Sequence, residues 1–262
     1  DIYICSLSEP NKILINDGRG FFRDVSRQSN RATDISERTN CAIFGDVNND
    51  GNLDLFITNE YSTNRLFIND GNGYFKEVTK EAGLTSAGGS MGASFADIDG
   101  DGLLDLFVAN WAKTNNLYKN ISKKNGKVRF VDITHKAGVE GGQYKKSNGV
   151  CFADYNNDGL LDLFVTNRGA SNRLYKNNGN DTFEDVTEQV IGLDSMLSYG
   201  ASFADFDNDG FLDLYVANVG ENILYKNLNG KKFVDVTIKY GAELSGYCTG
   251  TATGDIDNDG DI

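Results

Sequence analysis

The chain repeats itself. A nine-residue acidic pattern, D-x-[DN]-x-D-G-x-x-D, begins at Asp46, Asp97, Asp154 and Asp205, and its first eight positions recur from Asp255. The spacings are 51, 57, 51 and 50 residues. Self-similarity at such a period marks a fold built from one supersecondary unit stacked on copies of itself. Behind each acidic pattern the same features follow. LFITN (55–59) has counterparts in LFVAN, LFVTN and LYVAN; NRLFIND (64–70) in NNLYKN, NRLYKN and NILYKN; YFKEVT (74–79) in FVDIT, FEDVT and FVDVT. These short runs are rich in β-branched and aromatic residues and are bounded by Gly, Asn and Asp, so they read as strands. N-D-G-N-G and N-N-G-N between them read as hairpin turns, because Gly and Asn tolerate positive φ. An apolar stretch such as CAIFG (41–45) ahead of each acidic loop supplies a further strand. After the last strand a Ser or Thr (Ser26, Thr79, Thr134, Thr187, Thr237) predicts a single capped helical turn.

A four-stranded sheet of about fifty residues cannot bury both its faces alone. Face-to-face stacking around an axis solves this. The expected fold is therefore all-β, a β-propeller of about five four-stranded antiparallel blades; a linear β-solenoid is the alternative. The units run over about 1–40 together with 247–262, 41–90, 91–147, 148–198 and 199–246, as one domain, 1–262. One blade is split between the two ends. DIYIC and NKILINDGRGFFRDVS match strands two to four, and GYCTGTATGDIDNDGDI supplies a first strand and eight loop positions. Asp1 would be the ninth position. The expectation is either a ring closed through its ends or a period of a longer chain or head-to-tail polymer.

The loops have the composition of a calcium cage. Ca²⁺ takes about six to eight oxygen ligands, often from alternating loop positions. Positions one, three and five offer side-chain oxygens: Asp46, Asn48, Asp50; Asp97, Asp99, Asp101; Asp154, Asn156, Asp158; Asp205, Asp207, Asp209; Asp255, Asp257, Asp259. Position six is always Gly, where the chain turns sharply. Position seven offers a backbone carbonyl (Asn52, Leu103, Leu160, Phe211, Asp261). Position nine closes the cage with Asp54, Asp105, Asp162, Asp213 and, for the split loop, Asp1. Position twelve is an apolar strand residue, such as Ile57 or Val108, so this is not the helical EF-hand. Crowding three or four carboxylates around one turn is costly without a cation. About five Ca²⁺ would take the formal charge from −13 to −3. Mg²⁺ suits the loops less, since it prefers octahedral sites that keep several waters.

DVNNDGNLDLFITN, DIDGDGLLDLFVAN, DYNNDGLLDLFVTN and DFDNDGFLDLYVAN, each followed by N-x-L-[FY]-x-N, resemble FG-GAP/VCBS repeats over essentially the whole chain. Such repeats are similar to those of integrin α-subunits and cartilage acidic protein-like secreted proteins. The resemblance implies a propeller with Ca²⁺ between strands one and two of each blade, an extracellular or cell-surface setting, and a role in adhesion or matrix.

The acidic balance, 25 Lys+Arg against 38 Asp+Glu, argues against nucleic acid and anionic membrane surfaces. No apolar run is long enough to insert into a bilayer. Cys5, Cys41, Cys151 and Cys248 form no C-x-x-C pair; buried free thiols are expected, with a Cys5–Cys248 disulfide as the alternative. Gly88-Gly89-Ser90-Met91-Gly92 matches a nucleophile-elbow pattern but leads into a strand rather than a helix. His135, the only histidine, falls in a linker turn without an evident Ser or Cys partner, so no enzyme chemistry is expected. Asn120 and Asn180 head N-x-[ST] sequons at turns and are candidate glycosylation sites. The strand 2–3 loops vary most, at Glu60, Tyr61, Trp111, Lys113, Arg168 and Glu221. They are the expected contact for a protein or glycan partner. A glycan-binding or enzymatic propeller acting through that face is the alternative function.

Overall fold

The computed structural model describes residues 1–27, 32–33, 38–85, 88–123, 126–141, 146–257 and 262. The chain divides into two compact units. One comprises Asp1–Asp97, Asp101–Val108 and Asn116–Ile133, the other Ile98–Gly100, Ala109–Asn115 and Thr134–Ile262.

Five antiparallel sheets follow one another. β1 (Ile2–Ile4), β2 (Lys12–Asn16) and β3 (Phe22–Asp24) form a three-stranded sheet. The second sheet is β4 (Thr39–Gly45), β5 (Asp54–Asn59), β6 (Arg65–Asn69) and β7 (Phe75–Glu77), in that order. The third is β8 (Ser90–Ala96), β9 (Asp105–Asn110), β10 (Asn116–Asn120) and β11 (Phe130–Asp132). β12 (Ser147–Ala153), β13 (Asp162–Asn167), β14 (Arg173–Asn177) and β15 (Phe183–Asp185) make the fourth. The fifth is β16 (Leu197–Ala204), β17 (Asp213–Glu221), β18 (Ile223–Asn227) and β19 (Phe233–Asp235). The first strand expected across 247–254 is not present. Instead β20 (Ser245–Tyr247) pairs with the outer end of β17, Val219 against Tyr247. β17 runs past Asn218 and so offers Val219–Glu221 as an edge.

The pattern of burial follows the sequence. Every residue of β5, β9 and β13 is buried. A strand covered on both faces reads as a continuous apolar run rather than an alternating one. In β7, β11, β15 and β19 only the leading Phe is buried. Within each unit the cores form between successive sheets. Within the first unit, Ile13 with Leu55, Ile57 and Phe67 fills the gap between the first and second sheets. Val47, Phe56 and Leu66 meet Leu106, Tyr118 and Phe130 between the second and third. Within the second unit, Phe164 and Leu174 meet Leu214, Val216 and Phe233.

The linkers contain the predicted helical turns α1 (Thr134–Ala137), α2 (Thr187–Val190) and α3 (Thr237–Tyr240); residues 79–83 form a hydrogen-bonded turn instead. The capping expectation is corrected. Neither α2 nor α3 has a side-chain cap. The hydroxyl works sideways: Thr79, Thr187 and Thr237 Oγ1 accept the N–H of Leu66, Leu174 and Leu224 at 3.0, 2.9 and 2.9 Å, and Ser26 Oγ that of Ile13 at 3.1 Å. The repeated spacing of thirteen residues thus reflects a tie from the linker to the third strand. In the first unit the linker then crosses to the next sheet, where Phe130 N–H donates to Ala82 O at 2.8 Å. Gly83, at φ +83°, lies so close that a Cβ would be 2.8 Å from Phe130 O. Among the described residues no helix is long and apolar enough to cross a membrane.

Candidate metal centres

Each of the four complete acidic loops joins the first strand of a sheet to the second, and its shape is set by its own side chains. In loop 46–54, Asp46 Oδ1 and Oδ2 accept the N–H groups of Asp50 and Gly51 at 3.1 and 2.8 Å. Asp50 Oδ1 accepts Asn52 N–H at 2.8 Å. The same bonds recur on Asp97, Asp154 and Asp205. They recur also from Leu103, Leu160 and Phe211 onto Asp101, Asp158 and Asp209. Asx turns of this kind aim the first, third and fifth side chains at one another. Carboxylate oxygens of Asp97, Asp99 and Asp101 lie within 4.8 Å of one another, as do those of Asp205, Asp207 and Asp209. That separation fits oxygens about 2.3–2.6 Å from a common centre, the distance calcium requires. In the other two loops Asn48 and Asn156 take the third position, and each Oδ1 accepts the N–H of the fifth residue at 2.9 Å.

Two left-handed residues make the turn. The sixth-position glycines Gly51, Gly102, Gly159 and Gly210 have φ of 83 to 90°. The fourth position, to which the sequence reading assigned no role, is Asn49, Gly100, Asn157 or Asn208, with φ of 56, 74, 57 and 56°. Asn and Gly are the residues that tolerate this conformation, so the signal was legible. Asn49 and Asn157 also donate to Gly102 O and Gly210 O, each at 2.8 Å.

The ninth-position aspartates lie beneath the loops. Asp54, Asp105, Asp162 and Asp213 are 0 to 3% exposed. Each Oδ1 accepts the backbone N–H of the asparagine ending the third strand: Asn69, Asn120, Asn177 and Asn227 at 2.9, 2.7, 2.8 and 2.7 Å. Asp1 receives the same bond from Asn16 at 2.9 Å. Burial pushes the Asp54 and Asp162 carboxyls up to about 7, and raises Asp213. A hard, all-oxygen donor set around a buried carboxylate fits a divalent cation, which would favour the ionised form. Of the last loop, Asp255 and Asp257 are exposed, while Asp259 and Asp261 lie outside the described residues.

The terminal asparagine of the third strand is a further residue whose role the sequence reading missed. Asn120 Nδ2 donates to Val47 O and Leu104 O at 2.9 and 3.1 Å. Asn177 Nδ2 reaches Ile98 O and Leu161 O at 2.8 and 3.1 Å. Asn227 Nδ2 reaches Tyr155 O and Leu212 O at 2.8 and 2.9 Å. One amide therefore ties its own loop to the second residue of another. The N-x-L-[FY]-x-N motif contained this residue without revealing its partners. It also corrects the sequon at Asn120, which is 1% exposed with its amide engaged. Asn180 is exposed, and its Oδ1 accepts the Thr182 hydroxyl at 2.5 Å.

The strand 2–3 loops stand at the other end of each sheet. Glu60 pairs with Arg38 at 2.6 Å, and Arg38 lies 5.6 Å from the centre of the exposed Tyr61 ring. Trp111 is half-buried rather than free. Arg168 lies 4.9 Å from the Trp111 ring and 4.7 Å from that of Tyr199. Lys146 approaches Trp111 at 5.9 Å, and the Tyr199 and Tyr247 hydroxyls are 2.8 Å apart. Lys113 and Glu221 are exposed. Ser90 is buried and accepts the Asn64 amide at 2.8 Å, so it is no nucleophile elbow. His135 is fully exposed, with Nδ1 2.8 Å from Glu140. All four cysteines are free thiols.

Five overlapping segments, residues 1–57, 46–108, 98–165, 154–216 and 205–262, match the FG-GAP-like repeat. Cartilage acidic protein 1 of Mus musculus is 32% identical over 174 residues, 63% of this chain and 26% of that protein. The Homo sapiens protein is 31% identical over a segment of the same extent. A T-cell immunomodulatory protein homolog of Plasmodium yoelii yoelii is 26% identical over 219 residues, 78% of this chain and 30% of its own length. The chain thus corresponds to less than a third of each relative. Among solved structures, an Agrocybe aegerita lectin that recognises non-reducing terminal N-acetylglucosamine superposes with a TM-score of 0.51 at 17% identity. The match covers 89% of this chain and 64% of the lectin, and shows a shared fold.

Proposed function

Because this chain belongs to the FG-GAP-like repeat family, we propose that it is a non-enzymatic, calcium-binding repeat module of an extracellular protein with an adhesion or matrix role. The observation that carries the calcium reading is the repeated cage. In loops 97–105 and 205–213 the carboxylates at positions one, three and five converge, and in all four complete loops the ninth-position aspartate is buried beneath the turn. Ca²⁺ would be held by Asp46, Asn48, Asp50 and Asp54, and by the matching residues of loops 97–105, 154–162 and 205–213, with the seventh-position carbonyl as a further ligand. Relatives named for cartilage support the matrix setting.

The test is calorimetric titration of chelator-treated protein with CaCl₂. About four bound ions are expected, one for each complete loop. A higher number would mean that Asp255 and Asp257 also bind, and no heat at all would remove the calcium reading.

A second reading concerns the strand 2–3 loops. The stack of Trp111, Arg168 and Tyr199, with Tyr247 69% exposed, favours a protein or glycan contact in the second unit. Aromatic and arginine side chains are the residue types that carry most binding energy at such surfaces. Trp111→Ala should abolish a partner's binding without changing calcium uptake. A partner bound equally well by that variant would exclude this surface.

A further inference from the structure

In three of the five sheets the third strand carries a lysine one residue before its end. The penultimate residue of the third strand is Lys119 in β10, Lys176 in β14 and Lys226 in β18, but Ile68 in β6. Lys226 is bonded to both Asp207 and Asp209 of loop 205–213, the latter at 3.0 Å. Its side chain is only 21% exposed. Lys176 lies 3.2 Å from Asp158 of loop 154–162. These carboxylates are the third- and fifth-position groups of the cages. The ammonium therefore stands on the oxygens that a metal would use.

We propose that Lys226, and more weakly Lys176, are tethered competitors for the metal, holding their loops together when calcium is absent and lowering calcium affinity when it is offered. The inference rests on the calcium reading and adds a regulatory element to it. An ammonium beside Asp205, Asp207 and Asp209 relieves the repulsion that would spread an empty loop. It cannot share those oxygens with Ca²⁺, because two like charges would then sit within a few ångströms. Binding must displace it, and four methylenes give Lys226 the reach to swing into water while its stem stays on the strand. Because the competitor is covalently attached, its local concentration does not fall on dilution. Ile68 supplies no such charge, so loop 46–54 takes up metal without this competition.

Two measurements test this. In calcium titrations Lys226→Met should tighten one site by about three- to tenfold, the scale of losing one or two partly exposed ion pairs. The same variant should melt lower than wild type in EDTA, and Lys226→Arg, which keeps the cation, should behave as wild type in both assays. Unchanged or weaker calcium binding by Lys226→Met would overturn the proposal, whereas wild type that binds no calcium would instead overturn the calcium reading. Should Lys226→Met fail to fold, amine acylation of the wild-type protein read by mass spectrometry decides. Labelling at Lys226 and Lys176 should rise when CaCl₂ replaces EDTA, and equal labelling in the two conditions would sink the idea.

Discussion

Asp162 lies 1% exposed beneath its loop, with Asn177 N–H on one oxygen and the Asn156 amide 3.3 Å from the other. Burial holds its carboxyl near 7, well above its usual 3.8, and Asp54 behaves alike. The sign follows from linkage. A carboxyl raised on folding stabilises the native state fully below about 4, and that contribution is lost as pH rises through about 7. Metal-free protein should therefore melt lower at pH 8 than at pH 5 through these two groups. Calcium should reverse the trend, because it binds the ionised form, so its affinity should climb across the same window. Asp162→Asn separates the two roles. In EDTA at pH 8 the variant should melt no lower than wild type, since a buried charge has gone. In calcium it should lose one site and the gain that site confers. Thermal melts at the two pH values, with and without metal, check this.

At the scale of elements, the sequence marked the strands well because each marker is local. Turn glycines, β-branched runs and the leading Phe of the fourth strand all act within a few residues. The role of Thr187 was misread because its partner, Leu174 N–H, is on the third strand, β14, rather than in the helical turn. Gly149 in β12 was invisible for a similar reason. It lies in the irregular stretch between Ser147 and Val150, and a Cβ there would be 2.3 Å from Tyr199 O. Gly149→Ala should destabilise the protein by about 1–3 kcal/mol, the usual cost of overpacking, seen as a lower denaturation midpoint. Asn177→Ala tests the ties between loops. It would leave Ile98 O and Leu161 O without their donor, at a cost of about 1–3 kcal/mol. Because Ile98 sits in loop 97–105, calcium affinity there should weaken as well. A variant with wild-type stability would mean that water replaces the amide without loss.

For the whole molecule, a net charge of −13 is concentrated in loops that repeat about every fifty residues. Ligand that binds only the native state adds about 2.7 kcal/mol per site at a hundredfold excess over Kd. In a chain of this size that corresponds to roughly 5–10 °C for each site. Removing calcium with EDTA should therefore lower the melting temperature substantially, and the loss should grow with the calcium concentration used as reference. A melt indifferent to EDTA would show that the cages do not hold metal in the folded protein. What the sequence by itself determined is the repeat, its strands and the acidic side chains of each loop, because these depend on spacing within one unit. Tertiary structure alone decided that the ninth aspartate is buried, that Asn177 ties two loops together and that Lys226 pairs with Asp207 and Asp209. It also decided that Arg168 lies between Trp111 and Tyr199. Those partners are brought together from distant positions by the stacking of sheets, and no local pattern can encode a neighbour that folding has yet to supply.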